Sequence, residues 1–432
     1  MTKEVPTATA TQYKPGEGTM KALTWYGTKD VRLAEHAIPT ITDPDDIIIQ
    51  STAATVCGSD LHLFHGMIPN LKKGEILGHE GVGIVHQVGA KVVDFRPGDR
   101  VVASFSIGCG KCRYCKDNKY SMCEETNPSK DMQELYGQKI GGILGYSHLL
   151  GGYAGTQAEY FRMPFGEVNC FHLPPEVPDE KAILLADVTP TSYHAVVDID
   201  FKEGETAAIW GAGPIGQLIA QWLVRVFGAK KVIIIDNVAP RLQWVKDRLN
   251  VEVVNFDHTP KVAEELLKKV PGGVDVSFDA AGFRYAKSFY HKAMQSLNLQ
   301  TDTPENLNEA IRATRKFGRI SVIADYVGLC NGFLIGALME KGVTLKGCGQ
   351  APTQGYMDKI INEYVVTGKF DPTLILTHRF KFEDIAKAYK AFDEKRFDES
   401  KGIPYIKAFL ETKYAPPPAK GTPELSAVPG YE

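Results

Sequence analysis

The 432-residue sequence has no excess of positive charge: 49 Lys and Arg stand against 52 Asp and Glu, for a net charge of −3. No large cationic excess exists to neutralise a phosphate backbone, which makes nucleic-acid binding a poor hypothesis. Charges of one sign are not blocked together, which describes solvated faces rather than an interaction tail. The opening stretch MTKEVPTATATQYKPGEGT contains Glu4 and no apolar run. It resembles neither a secretory signal nor an Arg-rich transit peptide, and a cytoplasmic protein is expected. The longest apolar stretch, AAIWGAGPIGQLIAQWLV at residues 207–224, is broken by Gly211, Gly213, Pro214 and Gly216, so no membrane span is expected. Repeats at solenoid periods are missing too. With 44% apolar and 23% charged residues, disordered and collagenous classes are excluded. At about 100–200 residues per domain, two domains are expected.

Two kinds of local pattern divide the chain. From residue 20 to about 190, short β-rich runs such as DDIIIQSTAAT, GVGIVHQVG and DRVVASFS are punctuated by Gly and Pro, with no convincing helical period before Lys181. From Glu205 onward, strands alternate with helices: TAAIWGAG, PIGQLIAQWLVRVFG, KVIIID, PRLQWVKDRLN, EVVNF, VAEELLKKV, VDVSFDAAG, GRISVIADY and VTLKG. Continuous apolar strands separated by helices predict a doubly wound parallel sheet. Two more helical segments, MDKIINEYVVTG and FEDIAKAYKAFDEK, follow. The first 19 residues read as a loose end, and the Pro-rich last 20 as extended, weakly ordered chain, either loose or draped on a surface.

Gly211-Ala212-Gly213-Pro214-Ile215-Gly216 follows a predicted strand and opens a predicted helix, and Asp236 ends the next strand twenty residues later. That is the full context of the dinucleotide fingerprint. Gly211 permits the tight turn, Gly213 admits the pyrophosphate to the backbone, and Gly216 lets helix and strand approach. The helix N-terminus offers N–H groups and a positive dipole end to phosphate. The Asp236 carboxylate suits ribose hydroxyls and repels a 2′-phosphate, so NAD is predicted over NADP, although Arg241 nearby is suited to such a phosphate.

Cys109, Cys112, Cys115 and Cys123 lie within fifteen residues. In a reducing compartment they stay thiols, and four thiolates form a closed tetrahedral site, which is the structural kind of zinc site. The spacing departs from the C-x₃-C-P ending of bacterial iron–sulfur proteins. Cys170, Cys330 and Cys348 lack such company and read as packing residues. A second constellation begins with Cys57-Gly-Ser59-Asp-Leu-His62 and Gly-His79-Glu80. A catalytic zinc needs three protein ligands and an open position. Cys57 and His79 supply two; the chemistry of the side chains leaves Asp187, His65, Cys170 and His194 as candidates for the third.

In this combination the motifs resemble the zinc-dependent medium-chain alcohol dehydrogenases, from about Met20 to Thr412. Within that superfamily the chain is most similar to the glutathione-independent formaldehyde dehydrogenase and dismutase branch, on Asp187, the Gly-rich insertion IGGILGYSHLLGGYAGTQAEYF and the stretch beginning at Gly349. The resemblance implies an α/β Rossmann coenzyme domain at 191–345 and a β-rich GroES-like catalytic domain at 20–190 carrying the structural zinc lobe. A return segment at 346–412 completes the latter, with extended termini at 1–19 and 413–432. It also implies two zinc ions per chain. Cys57, His79 and Asp187 would be the catalytic ligands, with Glu80 beside them, Ser59 on the substrate oxygen and His62 receiving its proton by way of the nicotinamide ribose. Phe105 would line the substrate pocket, and Thr191 and Ile215 would lie near the nicotinamide.

The implied reaction is hydride transfer between NAD and a small alcohol or aldehyde hydrate, formaldehyde or another short aldehyde among them, in a homodimer or homotetramer. A broad-range alcohol dehydrogenase or aldehyde reductase for medium-sized or aromatic substrates is the rival enzyme. A non-catalytic NAD- or zinc-binding protein is disfavoured, because every ligand and relay residue is present. The insertion from Cys123 to Tyr160 holds Ile143, Leu144, Leu149 and Leu150 among seven glycines. So many apolar side chains in a long loop predict either a lid or a subunit contact.

Overall fold

A computed structural model describes residues 18–282, 302–394, 397–399 and 401–431. Residues 1–17, and with them most of the expected N-terminal extension, lie outside the described residues. The chain forms two units, one made of residues 1–190 and 352–432, the other of Thr191–Ala351.

In the first unit the β-rich runs pair into a seven-stranded sheet, counted among the described residues. Its order is Leu376–Lys381, Lys407–Glu411, Ile47–Ala54, Gly81–Val88, Arg100–Ala103 and Cys170–His172, with Tyr160–Met163 also paired to Ile47–Ala54. Seven of the eight residues of Ile47–Ala54 are buried, so this strand is covered on both faces. Ile47, Ile49, Val85, Val101, Phe161 and Met163 form one core beneath it, each contributing about 1.5–3 kcal/mol by leaving water. The sequence reading expected no helix here; a short one, Gly58–Phe64, follows Cys57. Its first turn is closed by the Asp60 carboxylate, which accepts from Cys57 N at 2.9 Å. Seven residues are too few for a hydrophobic period to show, and a cap sets this helix instead.

The second unit carries a six-stranded sheet whose pairings among the described residues are all parallel. Its strands are Thr206–Trp210, Lys231–Asp236, Glu252–Asn255, Val274–Asp279, Thr314–Val322 and Thr344–Gly347. Numbered in chain order they lie 3-2-1-4-5-6, the Rossmann arrangement. Ala208, Trp210, Ile233, Ile235, Val274 and Ile320 form its core, which explains why these strands read as continuous apolar runs. The apolar stretch at 207–224 divides into the strand Thr206–Trp210, a glycine turn and the helix Pro214–Arg225. Among the described residues no helix is long and apolar enough to cross a membrane.

One expectation changes and another is decided. The apolar side chains of the insertion are covered by their own unit: Ile143 pairs with Ser106, and Ile143, Leu144, Leu149 and Leu150 are all buried. A lid or subunit contact is therefore not required to account for them. Of the two readings of the Pro-rich tail, the draped one holds. Ala419 N donates to Glu180 Oε1 at 3.0 Å, Ser426 N to Arg379 O at 3.0 Å, and Val428 is buried. Proline fixes the backbone of such a segment without preventing the remaining amides from docking.

Candidate active site

Three side chains from separated segments converge in the first unit. Cys57 stands at the start of the helix Gly58–Phe64, His79 just before the strand Gly81–Val88, and Asp187 just before the helix Val188–Asp198. Phe105 N donates to Ala186 O at 3.1 Å, which ties the Asp187 turn to the sheet. Cys57 Sγ lies 3.8 Å from Asp187 Oδ2, and His79 Nε2 lies 3.3 Å from the same oxygen. All three ligand atoms fall within 4.8 Å of one another. Zinc bond lengths in a tetrahedron require ligand atoms about 3.4–3.7 Å apart, so this trio fits a zinc ion. Of the other third-ligand candidates, His65 is paired with Asp393 at 2.6 Å, Cys170 is packed in the sheet core, and His194 lies 3.8 Å from Asp198.

The electrostatics also favour a cation. Burial resists protonation of His79, but Asp60, Asp187 and Cys57 around it outweigh that and raise its pKa well above the usual imidazole range. Its Nδ1 lies 3.3 Å from Asp60 Oδ1, the carboxylate–histidine arrangement that orients metal-bound imidazoles. Ser59 Oγ is 3.4 Å from His79 Nε2, on the metal-facing side. His62 follows Ser59 by three residues on the same helix, so the two share a face. Glu80 is buried and paired with Lys407. Phe105 presents a ring to His79 at 6.3 Å, and Tyr146 does so at 6.2 Å.

Asp60, Lys407 and Tyr146 were not singled out from the sequence. Asp60 carries a readable signal, an acidic residue three positions after the helix-opening Cys57. Lys407 is 327 residues from Glu80, and Tyr146 arrives on the insertion, so neither has a local signal. The insertion approaches closely here. Gly145 has φ +56°, and a Cβ on it would lie 2.0 Å from Gly78 O, beside His79, so only glycine fits.

Four of the other cysteines form a second cluster. Cys109 Sγ is 3.9 Å from Cys115 Sγ, and Cys112 Sγ is 3.9 Å from Cys123 Sγ. Four thiolates on zinc stand about 3.8 Å apart. Cys109 Sγ accepts from Lys111 N and Cys112 N, both at 3.3 Å, bonds that favour the thiolate a metal needs.

In the second unit the glycine loop joins the strand Thr206–Trp210 to the helix Pro214–Arg225. Gly211 has φ +106°, and a Cβ on Gly216 would lie 1.9 Å from Gly211 O. A Cβ on Gly213 would meet nothing within 4 Å, so the space a pyrophosphate needs is there. Pro214 and Ile215 form the first helical positions. Asp236 Oδ2 accepts from Ala212 N at 2.6 Å, and its Oδ1 from Asn237 N and Val238 N at 2.7 and 2.9 Å. The carboxylate thus braces the loop. Arg241 stands in the first turn of the helix Ala239–Arg248, and Thr191 in the helix Val188–Asp198.

Comparison with known proteins agrees with this architecture. The alcohol dehydrogenase GroES-like domain family matches residues 43–175. A zinc-type alcohol dehydrogenase-like protein of Schizosaccharomyces pombe is 41% identical over 398 residues, 92% of each chain. A second zinc-type alcohol dehydrogenase-like protein, from Bacillus subtilis, is 39% identical over 88% of this chain and 98% of its own. The glutathione-independent formaldehyde dehydrogenase of Pseudomonas aeruginosa is 30% identical over 78% of this chain and 83% of its own. Among solved structures, the alcohol dehydrogenase of Thermus sp. ATN1 superposes with a TM-score of 0.74 at 29% identity, covering 91% of this chain and 100% of that one. The chain belongs to the zinc-type alcohol dehydrogenase family and is an oxidoreductase of that kind.

Proposed function

We propose that the protein transfers hydride between NAD and a small alcohol or aldehyde hydrate, with formaldehyde or another short aldehyde, taken without glutathione, inside its range. It would act in the cytoplasm as a homodimer or homotetramer. The observation that carries the reading is the convergence of Cys57, His79 and Asp187 with the Ser59 hydroxyl beside them. These three residues would hold a zinc ion, which would supply a Lewis acid for the substrate oxygen. One thiolate, one carboxylate and one neutral imidazole balance its charge, as two thiolates and an imidazole would. Ser59 accepts the proton leaving the substrate hydroxyl, and His62, on the same face of the helix, carries it onward. Asp60 holds His79 in place. Phe105 and Tyr146 make the side of the site facing His79 aromatic, which excludes water and favours apolar groups on the substrate. Asp236 and the glycine loop would bind the adenosine half of NAD, and Thr191 and Ile215 would flank the nicotinamide. Cys109, Cys112, Cys115 and Cys123 would hold a second, structural zinc.

That aromatic wall also suits the alternative of a broad-range enzyme for medium-sized or aromatic alcohols and aldehydes. The 41% and 39% identical relatives are named only as alcohol dehydrogenase-like, whereas the formaldehyde-named relatives lie at 30% and 29%. A panel of alcohols and aldehydes, assayed with NAD on purified protein alongside elemental analysis, tests the proposal. Two zinc ions per chain and NAD-linked turnover of a short aldehyde are expected. Turnover restricted to bulky aromatic alcohols would select the alternative, and two zinc ions with no turnover at all would defeat both.

A further inference from the structure

Behind Asp60 the hydrogen bonding continues into the core. Gln157 is fully buried and firmly seated: its N–H donates to Leu77 O at 3.0 Å and its carbonyl accepts from Leu23 N at 2.8 Å. Its side-chain Nε2 donates to Thr55 O at 2.9 Å and to Asp60 Oδ2 at 3.0 Å. Its Oε1 accepts from the Tyr389 hydroxyl at 2.8 Å. Tyr389 stands on the helix Ile385–Asp393 and is itself fully buried. Burial foremost keeps its phenol protonated, its pKa pushed well above the ordinary value, so it remains a donor.

These bonds have one consistent direction. A backbone carbonyl only accepts, so the Gln157 amide must turn its NH₂ toward Thr55 and Asp60, and its oxygen toward Tyr389. Asp60 Oδ2 then receives two donors, Gln157 Nε2 and Cys57 N. Asp60 Oδ1 is left as an acceptor 3.3 Å from His79 Nδ1. With zinc on Nε2, Nδ1 would carry the hydrogen and face that oxygen, and Nε2 would keep its lone pair for the side of the site where Cys57 and Asp187 lie. Tyr389, Gln157, Asp60 and His79 are between 0% and 3% exposed, so water does not compete for any bond in the chain.

We infer that Gln157 and Tyr389 are positioning residues of the metal centre, fixing through Asp60 the tautomer and aim of His79. This rests on reading Cys57, His79 and Asp187 as zinc ligands. Outer partners of metal-bound histidines typically change metal affinity about 10–100-fold when removed.

The test is competition of the full-length, zinc-loaded protein against a colorimetric chelator, comparing wild type, Tyr389→Phe, Gln157→Met and Cys57→Ser, with thermal unfolding of each. In the wild type, one zinc beyond that retained by Cys57→Ser is expected. Gln157→Met should weaken that ion's binding by about 10–100-fold, and Tyr389→Phe by a smaller factor, while the four-cysteine ion stays in place. Tyr389→Phe removes one oxygen and decides the matter if Gln157→Met does not fold. Wild-type affinity in the variants that fold, or equal weakening of both ions, overturns the inference and leaves the ligand reading intact. If Cys57→Ser holds as much zinc as wild type, the ligand reading itself is wrong, and the positioning role falls with it.

Discussion

The Glu80 carboxylate and the Lys407 ammonium form an ion pair in which neither side chain is more than 2% exposed, one residue along the chain from the proposed ligand His79. Lys407 begins the strand Lys407–Glu411 and Glu80 precedes the strand Gly81–Val88, so the pair fastens the strand Lys407–Glu411 to the segment that carries His79. Burial favours a neutral lysine, but Cys57, Glu80 and Asp187 around it hold its pKa above the ordinary value.

Removing one partner leaves a buried charge unpaired. Lys407→Met should therefore cost about 3–5 kcal/mol of stability, whereas the double variant Glu80→Gln with Lys407→Met should recover much of the loss. Urea unfolding of the zinc-loaded proteins measures both. Losses that simply add would show that the two charges do not depend on each other.

Asp236 is predicted to do two jobs. It braces the glycine loop through Ala212 N, and its carboxylate is expected to receive the ribose hydroxyls of NAD. Loss of a charge-assisted hydrogen bond costs about 1.5–3 kcal/mol. Asp236→Ser should lower kcat/KM for NAD roughly 10–100-fold and narrow the gap to NADP, with Arg241 supporting the 2′-phosphate. Steady-state kinetics with both cofactors give the answer; an unchanged NAD-to-NADP ratio would remove Asp236 from cofactor selection.

The stability of the first unit should fall in mild acid because of His378. Its ring is fully buried, stacked 4.0 Å from Tyr405, with Nδ1 2.9 Å from Thr377 Oγ1. Burial, partly countered by Asp398, lowers its pKa from 6.5 to about 4. The unfolded chain therefore binds the proton more readily than the folded one between pH 6.5 and 4. Stability is full above about pH 6.5 and is lost as the pH falls toward 4, by an amount on the order of 3 kcal/mol. His378→Phe should flatten that part of a plot of unfolding free energy against pH. A wild-type slope in the variant would assign the acid sensitivity to other groups.

How much of this was legible in the sequence depended on distance along the chain. The glycine loop and Asp236 lie within one βαβ stretch, and the four cysteines within one loop, so spacing alone drew them together. The strands and helices of the second unit were readable because each is long enough for its apolar pattern to show. The ligand trio was harder: Cys57 and Asp187 are 130 residues apart, and the residues alone left four candidates for the third ligand. Tyr389 reaches Gln157 across 232 residues, and no local pattern marks such a contact. The apolar residues of the insertion were visible in the sequence, whereas their partners, such as Ile107 and Phe161 packed with Leu144, were not.

The C-terminal tail should act as a structural strap rather than a dispensable end. Arg379 is fully buried and bonded to both Glu180 and Glu411 at 2.6 Å. The tail completes this cluster, since Ala419 N donates to the same Glu180 oxygen that receives Arg379, and Ser426 N donates to Arg379 O. Leu425 also bridges to Arg379 beside the edge strand Leu376–Lys381, which would otherwise present unpaired backbone. Burial of Val428 adds about 1.5 kcal/mol, and each tail hydrogen bond about 1 kcal/mol. A chain ending at Thr412 should therefore unfold at lower temperature and aggregate through the uncovered edge, with its zinc content unchanged. Val428→Asp in the full chain should reproduce part of the loss without shortening anything. Calorimetry and light scattering of the two variants decide it, and an unaltered melting temperature in the truncated protein would return the tail to the status of a loose end.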